Sequence, residues 1–350
     1  MPESVEQRTR HTPFVVVDTE NLPREEWLDY RRQGIGGSDV AGIMGISPFR
    51  TARDIYYDKL GIATVEDEPE NWVALEMGHL LEDLVAKIFH KKSGLEIYQI
   101  KKMFQHPKYP FMLADVDYFV RLPDGTTAIL EIKTTNYNAK DHWWEDGRET
   151  VPVYYEVQGR HYMAVMDADI VFFCCLYGNT EDDVIIREIK RDMEYEQEMI
   201  YLEQSFWENH VLAKNPPPYT EDGEQIMKSV QRYCGPADTK APVVKFGMGM
   251  TATLMRFLQL QEEKNNAEKR SEELQRTKAL LIAEMGTSCT AECRKDGFHY
   301  TVTYNPVRKQ VVDKNNLSRL KLQYPEIYDK FVTVSEYRKF QVKISAEEAA

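Results

Sequence analysis

The first chemical signal is a pair of aspartates, Asp115 and Asp117, followed by the tripeptide Glu131-Ile132-Lys133. Side chains alternate along a strand, so Glu131 and Lys133 share one face while Ile132 turns to the core. The Pro-Asp-Gly turn at 123–125 makes the flanking runs antiparallel neighbours and returns Asp117 to the side of Glu131. Asp115, two residues earlier, is expected on the same face as Asp117, so either one, or both, can be the ligand. Two carboxylates converging beside an ammonium suit a hard divalent cation such as Mg²⁺, which takes oxygen ligands and keeps several waters. Metal-assisted phosphodiester hydrolysis uses one such water, which Lys133 would orient or deprotonate. Taken alone, the Glu-x-Lys pair fits a surface cross-strand contact worth roughly 0.2–1 kcal/mol equally well or better.

Two further patterns shift the balance toward chemistry. In the helix expected over 72–92, Glu82 falls on the stripe of Leu75, Val85, Ala86 and Phe89, which faces the core, while Asp83 falls on the polar side. A carboxylate on an apolar stripe is costly to desolvate unless it is paired or bound to a cation. Gln158 and Tyr162 lie four apart on a helix opened by Pro152, on the face of Tyr155 and Val165, so an amide and a phenol point inward together. A satisfied buried polar group accounts for each of these singly.

The elements that must position these residues follow from periodicity and punctuation. Residues 23–60 read as short helices broken by GIGGSDVAGIMGISPF, with Ser38 and Ser47 as N-caps and Pro48 at the favoured first position. The helix over 72–92 ends near Ser93-Gly94. The strand-like runs EIYQIKKMFQ, FMLADVDYFVRL and TAILEIKTT follow. Pro152 opens a helix through about Met166, then come the strands ADIVFFCCLYG and VIIREI, and a helix of about twenty residues from Asp192. KNPPPYTEDG, at 214–223, reads as an extended connector. From Thr251 to about Met285 the pattern is helical but polar all round at its centre, the signature of a solvated arm. A hairpin around Lys295-Asp296-Gly297 and a closing helix with Arg319, Lys321 and Tyr324 end the chain.

The composition is that of a soluble globular protein of about two domains: 350 residues, 42% hydrophobic and 29% charged. No run is long and apolar enough for a membrane helix, and the first residues lack a secretory apolar core, so an intracellular protein is expected. Five sparse cysteines argue against a disulfide framework, and Cys174 and Cys175 are expected buried as small hydrophobes. The net charge of −13 argues at first against a nucleic-acid partner. Locally, however, residues 31–60 carry five basic against three acidic side chains, and residues 291–350 carry eleven against eight.

The order Arg31-Arg32, IGGSDVAGIMGISPF, GHLLEDLVAKIF, ADVDYFV, LEIKTT and VQGRHYMAV resembles the YqaJ-like viral recombinase family. These are relatives of phage lambda exonuclease in the PD-(D/E)XK nuclease superfamily, and the resemblance covers about 27–215. It implies an α/β (α+β) restriction-endonuclease-like core: a central mixed β-sheet flanked by helices, here with a C-terminal helical arm and β-hairpin extension. It implies one or two Mg²⁺ or Mn²⁺ ions held by Asp117, Glu131 and the backbone carbonyl of Ile132, with Asp115 a further candidate. Lys133 is implied as the water-activating lysine, Glu82 as the supporting helix glutamate, and Gln158 and Tyr162 as the family's QxxxY pair. Arg31 or Arg32, with Ser38, resembles a pocket for the 5′-phosphate of a DNA end; Ser38 as a plain helix cap fits equally. Tyr118 departs from the glycine that many relatives carry after the metal aspartate.

The implied activity is an exonuclease that degrades linear double-stranded DNA from its ends, 5′ to 3′, and leaves 3′ single strands for recombination by strand annealing. Implied partners are duplex ends, a single-strand annealing protein and further copies of the chain in a ring, a trimer being one such form. The compartment would be the cytoplasm, that of a bacterial host for a phage or prophage gene. The expected organisation is an N-terminal extension (1–26), a nuclease domain (27–213), a Pro-rich connector (214–250) and a helical arm with hairpin (251–350). Alternatives are an endonuclease on the same core, a catalytically inert DNA-end-binding scaffold, and a role for residues 250–350 in loading an annealing partner.

Overall fold

The structure, a computed structural model, describes residues 10–64, 72–234, 247–285, 290–295, 298–303 and 314–331. The chain divides into two compact units, Met1–Pro236 and Ala237–Ala350. The first opens with β1 (Phe14–Asp18), α1 (Arg24–Arg32), β2 (Ile35–Gly36), α2 (Gly37–Ile43), α3 (Ala52–Lys59) and α4 (Trp72–Ser93). Next come β3 (Glu96–Tyr98), β4 (Lys102–Gln105), β5 (Met112–Asp115), β6 (Tyr118–Arg121) and β7 (Thr127–Thr134). A short hairpin, β8 (Trp144–Glu145) and β9 (Arg148–Glu149), precedes α5 (Val153–Met166), β10 (Ile170–Leu176), β11 (Val184–Lys190), α6 (Met193–Phe206) and α7 (Gly223–Cys234).

The architecture is mixed α/β, with mixed sheets flanked by helices. Five strands pair in the order β11-β10-β7-β6-β3 and four in the order β1-β4-β5-β2. In the five-stranded sheet β7 and β10 are parallel and the other pairs antiparallel. α4 covers one face, where Val85, Ala86 and Phe89 pack with Leu130, Ile132 and Cys174. α5 covers the other, where Val157 and Met163 join a cluster with Ile129, Val171 and Phe173. Phe89, Leu130, Ile129 and Phe173 are fully buried, each burial stabilising the sandwich by about 1.5–3 kcal/mol. The alternation along β7 thus sends Leu130 and Ile132 toward α4 and leaves Glu131 and Lys133 on the α5 side.

Several elements form as the sequence pattern predicts. α4 ends at Ser93 and Gly94 takes a positive φ of 71°. Asp192 caps α6 by accepting the N–H groups of Glu194 and Tyr195, and a π-helical turn, Trp207–Leu212, extends that helix. Cys174 and Cys175 are free and buried; the side chains of the other three cysteines lie outside the described residues.

Other expectations are corrected. Ser38 is not an N-cap: Gly36 is extended and takes that place two residues earlier, so Ser38 lies inside α2. Ser47 caps no helix either. Its Oγ accepts the N–H groups of Phe49 and Arg50 in a turn, and Thr51 caps α3. Leu75 is 50% exposed, because the apolar stripe of α4 runs on past the sheet that buries Val85 and Phe89. The runs at 96–105 and 111–122 each break in two, and their halves join different sheets. α7, within the expected connector, has no counterpart in the sequence reading; it is fastened to α3 by Ser229 and Arg232, whose side chains donate to Asp54 at 2.5 and 2.8 Å.

In the second unit a helix, Met248–Met285, has exposed polar side chains along its described length. A two-stranded hairpin pairs Thr290–Lys295 with Phe298–Thr303; the turn residues Asp296 and Gly297 lie outside the described residues. The closing helix is two: Lys314–Gln323 carries Arg319 and Lys321, and Tyr324 separates it from Pro325–Phe331. Among the described residues no helix is long and apolar enough to cross a membrane.

Candidate active site

Tyr118 pairs with Leu130 in the antiparallel β6–β7 ladder, which sets Asp117 opposite Glu131. Asp117 Oδ2 accepts the backbone N–H of Ile132 at 2.8 Å. Glu131 is 2% exposed, and its Oε1 accepts from Lys133 Nζ at 2.7 Å and Gln158 Nε2 at 2.5 Å. Its other oxygen, Oε2, is buried with no hydrogen-bond partner. Lys133 Nζ also donates to Gln158 Oε1 at 3.0 Å and lies 4.8 Å from the centre of the Tyr155 ring. Gln158 Nε2 reaches Tyr162 Oη at 3.4 Å. Strand alternation on β7 and four-residue spacing on α5 thus bring Glu131, Lys133, Gln158 and Tyr162 into one network.

The charges in this network are unbalanced. Burial raises the Asp117 carboxyl well above its ordinary range, and Glu131 and Glu82 add to the rise against Lys133 and the Ile132 N–H. Burial likewise raises Glu131, with Lys133 opposing. Glu82, half-buried on α4, is raised by burial and then by Glu131. For Lys133 burial pulls downward, but Glu131 and Asp117 outweigh it and the ammonium is held above its usual value. Two buried carboxylates therefore share the Lys133 ammonium, while Glu82 adds its charge from α4 with Lys101 as its opposing cation.

The orphaned Glu131 Oε2 and the strain of like charges both fit a divalent cation. Among the described residues no three His, Cys, Asp or Glu side chains form a complete cage. A cation here would take Asp117, Glu131 and the Ile132 carbonyl, with water completing the shell, as suits Mg²⁺. Asp115 does not share a strand with Asp117: β5 ends at Asp115, and its Oδ2 accepts Trp27 Nε1 at 2.7 Å. Tyr118 donates its hydroxyl to Asp83 Oδ1 at 2.6 Å and ties β6 to α4.

A second cluster surrounds the start of α2. Arg31 Nη2 donates to Ser38 Oγ at 2.8 Å and to Asp39 Oδ1 at 2.7 Å. Asp39 and Lys59 are both fully buried and paired at 2.6 Å, and Arg50 lies 3.7 Å from Asp39. Burial would raise the Asp39 carboxyl, but Arg31, Lys59 and Arg50 hold it well below the usual range. Lys59 is itself lowered, because its desolvation exceeds the pull of Asp39. Arg32 turns away to Asp29 at 3.0 Å, so of the two candidates Arg31 is the one beside Ser38. Arg50 also lies 3.6 Å from Asp58, so Arg31, Lys59 and Arg50 stand against two carboxylates and leave one positive charge in excess near the exposed Ser38 hydroxyl, an arrangement that can receive an anion.

Asp39, Arg50 and Lys59 entered the sequence reading only as part of the local charge balance of residues 31–60, and their convergence was not foreseen: no periodicity links Asp39 with Lys59, 20 positions apart on two short helices. A weak signal existed in the acidic residue of the first turn, where Asp39 accepts the Gly36 N–H at 3.1 Å. The two clusters adjoin through Gly37, where a Cβ would stand 2.7 Å from Tyr162 Cε1 and 3.0 Å from Gln158 Cγ.

Comparison with known proteins gives the following. Residues 26–169 match the YqaJ-like viral recombinase domain. The YqaJ protein of Bacillus subtilis (strain 168) is 31% identical over 336 residues, 94% of this chain and 97% of its own. An alkaline exonuclease from Laribacter hongkongensis superimposes with a TM-score of 0.45 at 20% identity, over 55% of this chain and 94% of that one. A phage related exonuclease from Haemophilus somnus 129PT gives a TM-score of 0.39 at 13% identity, over 54% and 99%.

Proposed function

Since the chain belongs to the YqaJ-like viral recombinase family, we propose that it is a Mg²⁺-dependent exonuclease that digests linear double-stranded DNA from its ends, 5′ to 3′. The observation that carries this reading is the orphaned, buried Glu131 Oε2 beside Asp117 and the Lys133 ammonium. When bound, the cation supplies Lewis-acid stabilisation of phosphoryl charge and an acidified water. Asp117 and Glu131 hold it, and the N–H of Ile132 fixes the Asp117 carboxylate for that task. Lys133, held as an ammonium by Glu131 and Asp117 in the metal-free site, stands beside the two carboxylates, where its Nζ would orient or deprotonate the attacking water once the cation draws their charge. Gln158 and Tyr155 hold the ammonium in place, and Glu82 adds negative charge that strengthens cation binding.

Arg31 and Ser38 receive the terminal 5′-phosphate, with Asp39 and Lys59 fixing the geometry of the pocket from below. The remaining 3′ strand then serves an annealing partner. A ring of several copies lets an acidic chain line a channel with its basic residues, and the cytoplasm is the compartment for such a reaction. The test is digestion of duplexes labelled at either end, with and without a 5′-phosphate, by wild type and Arg31→Ala. We expect the 5′ label to be released first and Arg31→Ala to lose its preference for phosphorylated ends. Release of the 3′ label first would overturn the polarity, and an unchanged preference in Arg31→Ala would remove the phosphate pocket.

A further inference from the structure

Arg187 on β11 is in register with Phe173 on β10, which is in register with Glu131 on β7. Residues in register project to the same face, so Arg187 stands in the row of the Glu131 carboxylate, two strands or about 10 Å away. Its side chain is 11% exposed. Nη1 donates to the Ile186 carbonyl at 2.9 Å and lies 3.4 Å from Glu149 Oε2. Nε and Nη2 are buried and have no hydrogen-bond partner. These two nitrogens form the side-on edge of the guanidinium, the edge that grips two oxygens of one anion in parallel. A guanidinium does not shed its proton, so two unpaired donors in a buried position are costly until an anion arrives.

Trp144 supplies the second feature. Its ring centre lies 5.0 Å from Arg187 Cζ, and the residue is 38% exposed. Its neighbour Trp143 is buried against Tyr155, whose ring faces the Lys133 ammonium. A ring that is part-exposed on one side and rests on a cation on the other suits stacking with a nucleobase, which every base can offer. An acidic peptide would use the arginine but leave the ring without a partner.

We propose that Arg187 and Trp144 form a second phosphate-binding position for the DNA strand, flanking the catalytic carboxylates. The Nε and Nη2 edge takes two non-bridging oxygens of a phosphodiester, and Trp144, displaced with its short strand to admit it, stacks on the adjoining base. The inference rests on the nuclease reading above.

The test is binding of a short fluorescein-labelled single strand to the full chain in EDTA, across a salt series, for wild type, Arg187→Met, Arg187→Lys and Trp144→Ala. Arg187→Met is expected to weaken binding about tenfold and to reduce the salt slope by about 1. Arg187→Lys keeps the slope but not the affinity, because an ammonium lacks the parallel edge. Trp144→Ala weakens binding about tenfold with the slope unchanged. Because Arg187→Met removes two buried donors without partners at the loss of one contact to the exposed Glu149 carboxylate, its thermal midpoint is expected at or above that of wild type. Wild-type affinity and slope in Arg187→Met would overturn the proposal; a lowered midpoint with those values would assign the residue to its Glu149 contact. If wild type digests DNA but these variants bind it normally, only this site is lost. If wild type neither binds nor digests DNA, the nuclease reading falls too.

Discussion

Gly37 lies against the ring of Tyr162, with a residue-37 Cβ placed 2.7 Å from Cε1 and 2.9 Å from Cζ. The helix that presents Ser38 and Asp39 therefore rests directly on the helix that presents Gln158 and Tyr162. Distances under 3 Å leave no room for a methyl group, so any side chain at 37 must push the two helices apart.

Gly37→Ala is expected to cost about 1–3 kcal/mol by overpacking and to lower kcat/KM for phosphorylated duplex ends more than unfolding explains. Thermal denaturation beside steady-state digestion separates the two effects. Normal kinetics in a folded variant would mean that the two clusters act independently.

Asp39→Asn should be far more damaging. It leaves Lys59, fully buried, and Arg31 without their carboxylate, and breaking a buried pair costs about 3–5 kcal/mol. The Asp39 carboxyl is held below its unfolded value, so its contribution is present above about pH 4 and lost as pH falls below it. Urea unfolding of the variant at neutral pH checks the magnitude.

His106 sets a different pH window. It is buried, and its Nδ1 accepts the N–H groups of Lys108 and Tyr109 at 3.0 and 3.1 Å. Burial, then His11 and His161, push its pKa down to about 4. The unfolded imidazole titrates near 6.5, so the unfolded chain binds the proton more readily between these values. Stability is expected to fall by up to about 3 kcal/mol as pH drops from about 6.5 to 4, then to level off for this group. His106→Asn, which keeps an acceptor, should flatten that slope; an unchanged slope would assign it to other groups.

The cation site makes a prediction that needs no DNA. Mg²⁺ should stabilise the folded chain by about 2.7 kcal/mol at a hundredfold excess over its dissociation constant. The double variant Asp117→Asn, Glu131→Gln should lose this response; it also takes both carboxylates from the buried Lys133 ammonium, so the Mg²⁺-dependent shift of each protein, not its metal-free midpoint, is the quantity compared. Equal stabilisation of both proteins by Mg²⁺ would place the cation elsewhere.

What was legible in the sequence is what local rules determine. Period-two alternation put Glu131 and Lys133 on one face, four-residue spacing aligned Gln158 with Tyr162, and Gly94 marked the end of α4. The break between Asp115 and Asp117 was not legible, because an apolar run carries no mark of a strand that changes sheets. Nor was the Asp39–Lys59 pair, whose partners meet only through the packing of α2 and α3. Leu75 followed the stripe correctly and was still exposed, since a stripe shows which side faces inward but not how far the sheet extends.

The most direct test of the catalytic account is release of acid-soluble nucleotides from linear duplex and from closed circular plasmid, with Mg²⁺ or EDTA, by wild type and Lys133→Ala. The account predicts Mg²⁺-dependent loss of the linear substrate alone, abolished in Lys133→Ala with DNA binding retained. Digestion by Lys133→Ala at the wild-type rate, or no digestion by folded wild type with any divalent cation, would contradict it.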